Sequence, residues 1–595
     1  MTVGTGSQDL QLGVPPLAEF SFRTRARSLE RFQNEKFDLL VIGGGITGAA
    51  TARDAASRGL KVALVEMRDF AGGTSSRSSK LIHGGLRYLE NLEFGLVFEA
   101  LSERSFLLKT APHMVRPLPF YMPVYRGDPH GPSIISLGLW FYDLLALFRT
   151  PGFHRRLSRD KILYDIPFLK AEGLRGGFRY YDASMWDDAL VLETLRSASE
   201  RGVAIANYVE AIEPIWASPN GPEADRIQGF KVRDHETGQG DIAIRATRTV
   251  VCVGPWVDRV GPLLTSQWKP WLNPSKGVHL VFDLKRIPIP GAMVMSHPED
   301  GRISFVIPRP DFGAGVVIVG TTDGMTSSNP DKAEVMRADV DYLMKLLQRY
   351  FPSLELTEKD IVSTYVGVRP LMSAQASTSG SEGQKGGGGS KSLQKVSREH
   401  YIGIGPGGVT VVAGGKYTTH RNMAAEIVDE TLQAWRIDQS AGRCAPVPST
   451  LGSSKTDVPV NPRALTESRR AAERQAIAQA ISVEPELWER FGAEAMEVAR
   501  LAKEPLPAGC SAPADPDGFP KLAGQLRYFV RHGMVMHLDD FFFRRLPLFL
   551  ARADHGAPWV PMLSQVLAQE LAAGSAVAEA RRVQDEAELR QIHVP

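Results

Sequence analysis

The chain has 595 residues, of which 43% are hydrophobic and 23% charged, as is ordinary for a globular protein. Its length suggests roughly two to four domains. With 69 basic and 67 acidic residues the formal net charge is +2, which argues against nucleic acid as the main partner.

Three cysteines, Cys252, Cys444 and Cys510, lie far apart in the sequence. They are too few for a disulfide framework or a zinc site, so we expect no metal centre and a reducing, cytoplasmic setting. No apolar run reaches the roughly 18 residues that a membrane-spanning helix needs.

Residues 1–36 form a predicted N-terminal extension that lacks a hydrophobic signal core. The basic residues Arg23, Arg25, Arg27 and Arg31 lie within it. We expect a solvated surface extension, with a targeting arm as the alternative.

Residues 37–66 follow a strand–turn–helix–strand pattern. Gly43, Gly45 and Gly48 have the spacing of a dinucleotide-binding turn, and Glu66 ends the second strand. The glycines permit the turn, the approach of a pyrophosphate to bare backbone, and close helix packing, while the acid is placed to accept from a ribose hydroxyl. This combination predicts a dinucleotide cofactor.

Residues 134–148 are the longest apolar stretch and are interrupted by Asp143. The stretch is too short to cross a bilayer. We expect a core helix, and the alternative is a helix that lies in the bilayer interface.

The middle of the chain predicts a second sheet. Residues 249–256 are a short apolar strand, and three runs within 277–322 resemble antiparallel strands. Residues 333–350 follow the period of an amphipathic helix. Residues 376–396 are mainly Gly, Ser, Lys and Gln, which predicts a flexible loop without a catalytic role.

Two further strand–glycine stretches lie near Gly254 and Gly414. Because an NAD site is usually completed within one contiguous stretch, segments so far apart favour FAD. From about residue 465 the pattern is helical, which indicates an accessory domain.

Three motifs together carry a resemblance to a known family. They are the segment 73–90, the run Gly367-Val-Arg-Pro370 and the run Gly414-Gly-Lys-Tyr-Thr-Thr419. With them the chain closely resembles FAD-dependent glycerol-3-phosphate dehydrogenases over roughly residues 37–430, and more loosely at 526–530 and 539–545.

The resemblance and the patterns together predict a mixed α/β (α+β) fold with three parts. A discontinuous, Rossmann-like FAD-binding domain is expected at 37–130, 200–275 and 355–430. A substrate domain with an antiparallel sheet is expected at 131–199 and 276–354, and a C-terminal helical domain at 465–595.

The FAD contacts are assigned to the motif residues, with the hydroxyls of 74–79 available to an anion. The predicted cofactor-binding residues are Gly43, Gly45, Gly48, Glu66, Thr74, Ser75, Ser79, Lys80, Leu81, Val209, Gly254, Gly414, Gly415, Lys416 and Thr418.

The predicted substrate residues are His83, Arg87, Arg369, Arg398 and Lys416. A phosphate dianion needs several cationic donors, and the planar fork of arginine suits it. We expect His83 to accept the proton of the substrate C2 hydroxyl, and the alternative is a histidine that only hydrogen-bonds flavin or backbone.

The resemblance implies oxidation of sn-glycerol 3-phosphate to dihydroxyacetone phosphate, with electrons passed to a membrane quinone at the inner face of the cell membrane. Residues 137–148 or 541–545 are candidates for bilayer contact, and a homodimer is possible. The alternatives are an oxygen-using flavin oxidase of glycerol 3-phosphate or of an amine or amino acid, and a non-catalytic FAD-binding protein.

Overall fold

The computed structural model describes residues 17–89, 92–218, 225–238, 240–297, 299–326, 329–373, 400–449 and 484–571. The helices are α1 Phe22–Asn34, α2 Ile46–Ser57, α3 Phe94–Thr110, α4 Pro132–Leu145, α5 Arg159–Asp165, α6 Asp187–Glu200, α7 Val257–Leu264, α8 Arg337–Tyr350, α9 His420–Ser440, α10 Pro485–Phe491, α11 Ala495–Leu501, α12 Leu522–His532, α13 Leu548–Ala551 and α14 Val560–Glu570. The strands are β1 Lys36–Ile42, β2 Val62–Val65, β3 Leu81–Ile82, β4 Val115–Tyr125, β5 Arg155–Leu157, β6 Leu174–Met185, β7 Ala204–Ala206, β8 Val209–Trp216, β9 Ile227–Asp234, β10 Ile242–Val251, β11 Ser275–Asp283, β12 Ala292–Ser296, β13 Ile303–Arg309, β14 Val316–Gly320, β15 Gly324–Met325, β16 Ile361–Arg369, β17 Tyr401–Ile404 and β18 Thr410–Ala413.

The first sheet has the order β17-β18-β10-β1-β2-β7. β18, β10, β1, β2 and β7 run parallel, and the β8–β9 pair joins antiparallel at β10. Side chains of β1 alternate between the faces: Leu39 and Val41 pack with α2, α6 and α9, whereas Leu40 and Ile42 pack with α1 and α7. A parallel sheet buried on both faces explains the near-continuous apolar strands.

The second sheet has the order β15-β11-β14-β13-β12-β4-β6-β3, with β16 on β11 and β5 on β6. Its neighbours are antiparallel except for the parallel pair of β4 and β12. Val278, Leu280 and Phe282 of β11 pack with α8 in one core, and Val281 belongs to the core on the opposite face. The second sheet is therefore covered on both sides.

The helices α10–α14 pack onto the core of the first sheet, so that one apolar cluster spans both parts. A buried ion pair crosses the contact, where Arg196 of α6 donates to both oxygens of Glu494 at 3.0 Å. The predicted mixed fold, with an antiparallel-rich second sheet and a C-terminal helical part, is confirmed.

Two details differ from the sequence predictions. Arg23 and Arg27 are exposed as expected, but Arg25 is only 2% exposed and donates to Asp234 at 2.5 Å, because α1 packs against the first sheet. β4 and β16 lie in ranges assigned to the FAD-binding domain yet pair with the second sheet. The domain boundaries stay a prediction.

α4 corrects the expectation of a core helix. Its apolar side chains are largely exposed, with Leu137 at 60%, Trp140 at 58% and Leu144 at 51%. Its inner face buries Tyr142 and Asp143. Polar partners inside the protein hold these two residues beside the buried Leu139, while most of the other apolar side chains of the helix face outward.

The segment 541–545 is the reverse case. Phe541 and Phe542 are fully buried and Arg545 is 3% exposed, so these residues offer no surface to a bilayer. Among the described residues, no helix has both the length and the apolarity to cross a membrane. The predicted loop 376–396 lies outside the described residues.

Candidate active site

The turn between β1 and α2 requires glycine at two positions for different reasons. Gly43 has φ +111°, and a Cβ there would lie 2.5 Å from the carbonyl oxygen of Cys252. A Cβ on Gly48 would lie 1.9 Å from the carbonyl oxygen of Gly43. α2 therefore begins close against β10, and its N-cap residue Gly45 has no side chain that would cover the helix N-terminus, which leaves room for an anion there.

Glu66, directly after β2, closes one side of this turn. Its carboxylate accepts the N–H of Gly44 at 2.6 Å and the N–H of Arg68 at 2.9 Å. Burial raises the pKa of Glu66 to about 6, against the opposing effect of these two hydrogen bonds. A carboxylate beside the glycine turn is the group that accepts a ribose hydroxyl in dinucleotide sites.

A cavity of about 350 Å³ opens at this turn. It is lined by segments from across the chain, including the predicted cofactor residues Gly43, Gly45, Glu66, Thr74, Ser75, Val209, Gly254, Gly414, Gly415 and Lys416. The other predicted residues, Gly48, Ser79, Lys80, Leu81 and Thr418, do not line the cavity. Gly48 packs α2 on the end of β1, and Leu81 and Thr418 are buried.

These residues fit FAD. The glycine turn leaves bare backbone at a helix N-terminus for a pyrophosphate, and Glu66 stands beside it for a ribose. The lining continues to Pro370 and Tyr417, so segments more than 300 residues apart in sequence meet on one cavity, as expected for a cofactor larger than one contiguous nucleotide site.

The segment 74–80 is held by hydrogen bonds from several elements. Thr74 Oγ1 donates to the carbonyl oxygen of Val368 at 2.6 Å, and Ser75 Oγ accepts the N–H of Ile46 at 3.0 Å. These contacts fasten the segment between the start of α2 and the end of β16.

Lys80 has a structural position. Its side chain is 2% exposed, and its ammonium donates to Asp187 at 2.5 Å and to the carbonyl oxygen of Ser76 at 3.0 Å. Asp187 also accepts from Ser78 Oγ at 2.7 Å, and the hydroxyl of Tyr417 donates to its carbonyl oxygen. One acidic residue thus ties the 76–80 segment to the Gly414–Tyr417 turn.

Arg369 ends β16 next to the cavity residue Pro370. Its guanidinium donates to Thr321 Oγ1 at 3.0 Å and to Asp323 at 3.2 Å, and 26% of its side chain is exposed. The fork is thus oriented by the second sheet while part of it faces solvent.

Lys416 meets the segment that carries His83. Its ammonium lies 4.0 Å from the centre of the Tyr88 ring, which is a cation–π distance. His83 is half-buried directly after β3, and the N–H of the next residue, Gly84, donates to Tyr142 at 2.9 Å. Arg87 lies in the same helical turn as Tyr88, with its side chain outside the description, and Arg398 lies outside the described residues.

Sequence reasoning missed His279, which lies on β11 and contacts the segment 74–80. It accepts or donates a hydrogen bond with Ser79 Oγ at 2.9 Å and stacks on Tyr365, with ring centres 4.5 Å apart. Burial, helped by Arg369 and Lys80, lowers the pKa of His279 to about 3. The imidazole is therefore neutral at working pH. In the sequence, the alternating strand pattern of β11 indicated only that this side chain points inward.

Asp331 was also missed. Arg68, Trp256 and Arg259 all line the cavity, and all three donate to its carboxylate, at 2.8, 3.0 and 3.4 Å respectively. Asp331 comes from a turn that no sequence motif marks, and only tertiary packing brings it to the rim.

Comparisons with known proteins agree with this arrangement. A family model described as "FAD dependent oxidoreductase" matches residues 38–421, and one described as "C-terminal domain of alpha-glycerophosphate oxidase" matches residues 462–577. The two matches cover both the cavity-forming part and the C-terminal helices.

Similar proteins match most of the chain. An aerobic glycerol-3-phosphate dehydrogenase of Staphylococcus haemolyticus is 34% identical over 87% of each chain. One from Staphylococcus aureus is 38% identical over 67% of this chain and 68% of the relative. The crystal structure of a glycerol-3-phosphate dehydrogenase from Bacillus halodurans complexed with FAD matches 96% of this chain and 98% of that one, with a TM-score of 0.71 and 26% identity.

Proposed function

We propose, since this chain belongs to the FAD-dependent oxidoreductases and among them to the glycerol-3-phosphate dehydrogenase family, that it oxidises sn-glycerol 3-phosphate to dihydroxyacetone phosphate and passes the electrons to a membrane quinone. The observation that carries the proposal is that Lys416 and Pro370, which directly follows β16, line the cavity that fits FAD, while the Lys416 ammonium lies 4.0 Å from the Tyr88 ring.

The phosphate of the substrate is assigned to the cations around this end of the cavity. Thr321 and Asp323 orient the guanidinium group of Arg369. Little further side-chain entropy is therefore lost when this group binds a phosphate. Lys416 supplies a second positive charge. Arg87 and Arg398 belong to the proposed set from the sequence alone, since the Arg87 side chain and the whole of Arg398 lie outside the described part of the chain.

The proton of the C2 hydroxyl is assigned to His83. A neutral imidazole accepts a proton near neutral pH, and His83 lies between β3 and the Gly84 turn. FAD supplies the two-electron acceptor for the hydride that leaves C2. Loss of the hydroxyl proton to His83 and of the hydride from C2 leaves the C2 carbonyl, and Lys416 stabilises negative charge that develops at the cofactor end of the site.

The proposed route to a quinone rests on an apolar patch, defined as the exposed apolar side chains of residues 134–153. These are Ile134, Leu137, Trp140, Phe141, Leu144, Leu147, Phe148 and Phe153, each between 45% and 61% exposed. Arg149, Arg155 and Arg156 are exposed beside them. Apolar and aromatic side chains with a basic rim are typical of a surface that enters the interface of an anionic bilayer.

The inner side of the same helix touches the proposed site. Tyr142 of α4 donates to Asp182 at 2.8 Å and accepts the N–H of Gly84 at 2.9 Å. Gly84 follows His83, so the bilayer-facing helix lies one hydrogen bond from the proposed base. This proximity supports electron exit to an acceptor dissolved in the membrane; the position at the inner face is proposed from the family resemblance alone.

The test is anaerobic addition of glycerol 3-phosphate to the purified, FAD-loaded protein. Bleaching of the flavin absorbance is expected, followed by recovery on addition of a soluble quinone. No bleaching would contradict the substrate. Rapid recovery with oxygen and stoichiometric peroxide, but not with quinone, would favour the oxidase alternative, and bleaching by an amine or amino acid in place of glycerol 3-phosphate would favour the related amine oxidases.

A further inference from the structure

The loop 66–72 contacts two different parts of the molecule. Glu66, Arg68 and Gly72 line the cavity. Between them, Asp69 and Phe70 are each 1% exposed and do not line it. Because the backbone of Ala71 donates to the carbonyl oxygen of Gly44 at 3.1 Å, this loop also sets one side of the glycine turn.

Asp69 is held by the C-terminal helices. Arg545 donates to both of its carboxylate oxygens at 2.9 Å, and Arg544 Nε donates at 2.5 Å. Burial would raise the pKa of Asp69, but the two guanidinium groups outweigh it and hold the pKa below its ordinary value. Arg545 also donates to the carbonyl oxygen of Gly533 at 2.8 Å, so its fork has a fixed direction.

A second contact holds the neighbouring wall of the cavity. The hydroxyl of Tyr208 donates to Asp540 at 2.5 Å, and Arg544 donates to the same carboxylate oxygen at 2.8 Å. Tyr208 precedes the cavity residue Val209, and its N–H donates to the carbonyl oxygen of Arg68 at 3.0 Å. The side-chain amide of Asn207 adds a bond to the carbonyl oxygen of Met534 at 3.2 Å.

We propose that the C-terminal helical domain is a positioning element for FAD, which fixes the loop 66–72 and residues 207–209 through Arg544, Arg545 and Asp540. Asp69 and Tyr208 touch neither substrate nor cavity and act through Glu66, Arg68 and Val209. Since binding free energies are reciprocal, FAD also strengthens the docking of the C-terminal helices. The inference does not depend on which substrate or electron acceptor the enzyme uses.

The first test measures FAD dissociation from the full-length apoprotein by quenching of flavin fluorescence. Asp69→Asn removes the carboxylate that binds the buried Arg545 and one of the carboxylates paired with Arg544, which keeps Asp539 and Asp540. We expect the Kd for FAD to rise about tenfold or more. Tyr208→Phe removes one hydroxyl and should raise it by a factor of about three. The matched control is Arg500→Gln, an exposed C-terminal arginine that pairs with Glu497 and Glu504, for which the Kd should stay unchanged.

The second test measures backbone hydrogen exchange in the peptide 533–546 with and without FAD. In the unaltered protein FAD should slow exchange there, and Asp69→Asn should abolish that effect while circular dichroism stays the same. A folded Asp69→Asn protein with the original Kd would overturn the proposal, as would exchange in 533–546 that ignores FAD. If Asp69→Asn does not fold, Tyr208→Phe and the exchange of the unaltered protein decide.

Discussion

At the scale of single residues, the cations near the cavity fall into two groups. Lys80 is buried against Asp187, with both side chains at most 2% exposed, and removing either partner would leave an uncompensated buried charge. Arg369 keeps 26% of its side chain exposed while its fork is oriented by Thr321. A partly exposed guanidinium can exchange water for a phosphate, whereas a fully buried ammonium cannot. Lys80 therefore holds the backbone, and Arg369 is the proposed phosphate ligand.

Arg369→Lys keeps the charge but removes the planar fork. We expect KM for glycerol 3-phosphate to rise about tenfold, which corresponds to roughly 1.4 kcal/mol, with kcat at saturation partly retained. Steady-state kinetics with a soluble quinone measures this, and Arg349→Lys on the exposed side of α8 is the control. An unchanged KM would remove Arg369 from the phosphate site.

His83→Asn tests the proposed base. Loss of general-base catalysis should lower kcat by about 10²–10⁴-fold while the bound FAD per chain stays constant. The measurements are turnover and the flavin-to-protein absorbance ratio, with the exposed His130→Asn as control. If FAD content falls in step with kcat, His83 has a structural role instead.

Glu66 gives FAD binding a pH dependence. The pKa of its carboxyl is raised to about 6, so below that pH the empty site is mostly protonated, whereas ribose hydroxyls favour the ionised acceptor. FAD affinity should therefore be constant above pH 6 and fall by up to about tenfold per unit below it. The Glu66→Gln variant should bind FAD more weakly at high pH, and its FAD affinity should not change over this pH range. A pH dependence that survives the substitution would assign the effect to another group.

At the scale of elements, α4 buries two polar side chains beside Leu139 and leaves most of its apolar side chains exposed. Tyr142 and Asp143 face inward, where Asp182 and His154 are their partners at 2.8 Å, and the apolar patch faces outward. A contiguous exposed patch of apolar and aromatic side chains is typical of an interaction surface, and the membrane contact proposed above makes use of it.

The double change Leu137→Glu and Trp140→Glu should release the protein from membranes. Each substitution places a charge in the apolar patch, and we expect binding to vesicles with anionic lipid to fall about tenfold or more, with bleaching by glycerol 3-phosphate intact. Vesicle flotation measures the binding. The control, Tyr164→Glu, replaces a side chain that is 79% exposed outside the patch; equal binding of all three proteins would exclude α4 as the contact.

At the scale of the whole molecule, the cavity lies where three parts of the chain meet. The first sheet supplies the glycine turn, the second sheet holds the segment 74–80 through Thr74 and His279, and the C-terminal part of the chain holds Asp69. Even the N-terminal segment joins them, since Phe20 stacks on Phe70 and its backbone bonds to Arg531 and Met534. A change in any one of these parts is therefore expected to alter the cavity through the hydrogen bonds and packing contacts that join them.

The sequence by itself determined the features that depend on near neighbours. The spacing of Gly43, Gly45 and Gly48 and the acid at 66 are local requirements of a turn and two strands, and they predicted the cofactor class and the start of the fold. The motifs around His83, Arg369 and Lys416 pointed to the family for the same reason.

Only the tertiary structure decided which side of each amphipathic or charged segment is covered. The exposure of Trp140, the burial of Phe541 and Arg25, and the pairing of Asp69 with Arg545, 476 residues away, depend on what packs against them. Whether a side chain is buried depends on residues that are distant in the sequence, and these residues set the free energy of burying an aromatic ring or pairing a charge. Local periodicity contains no information about them.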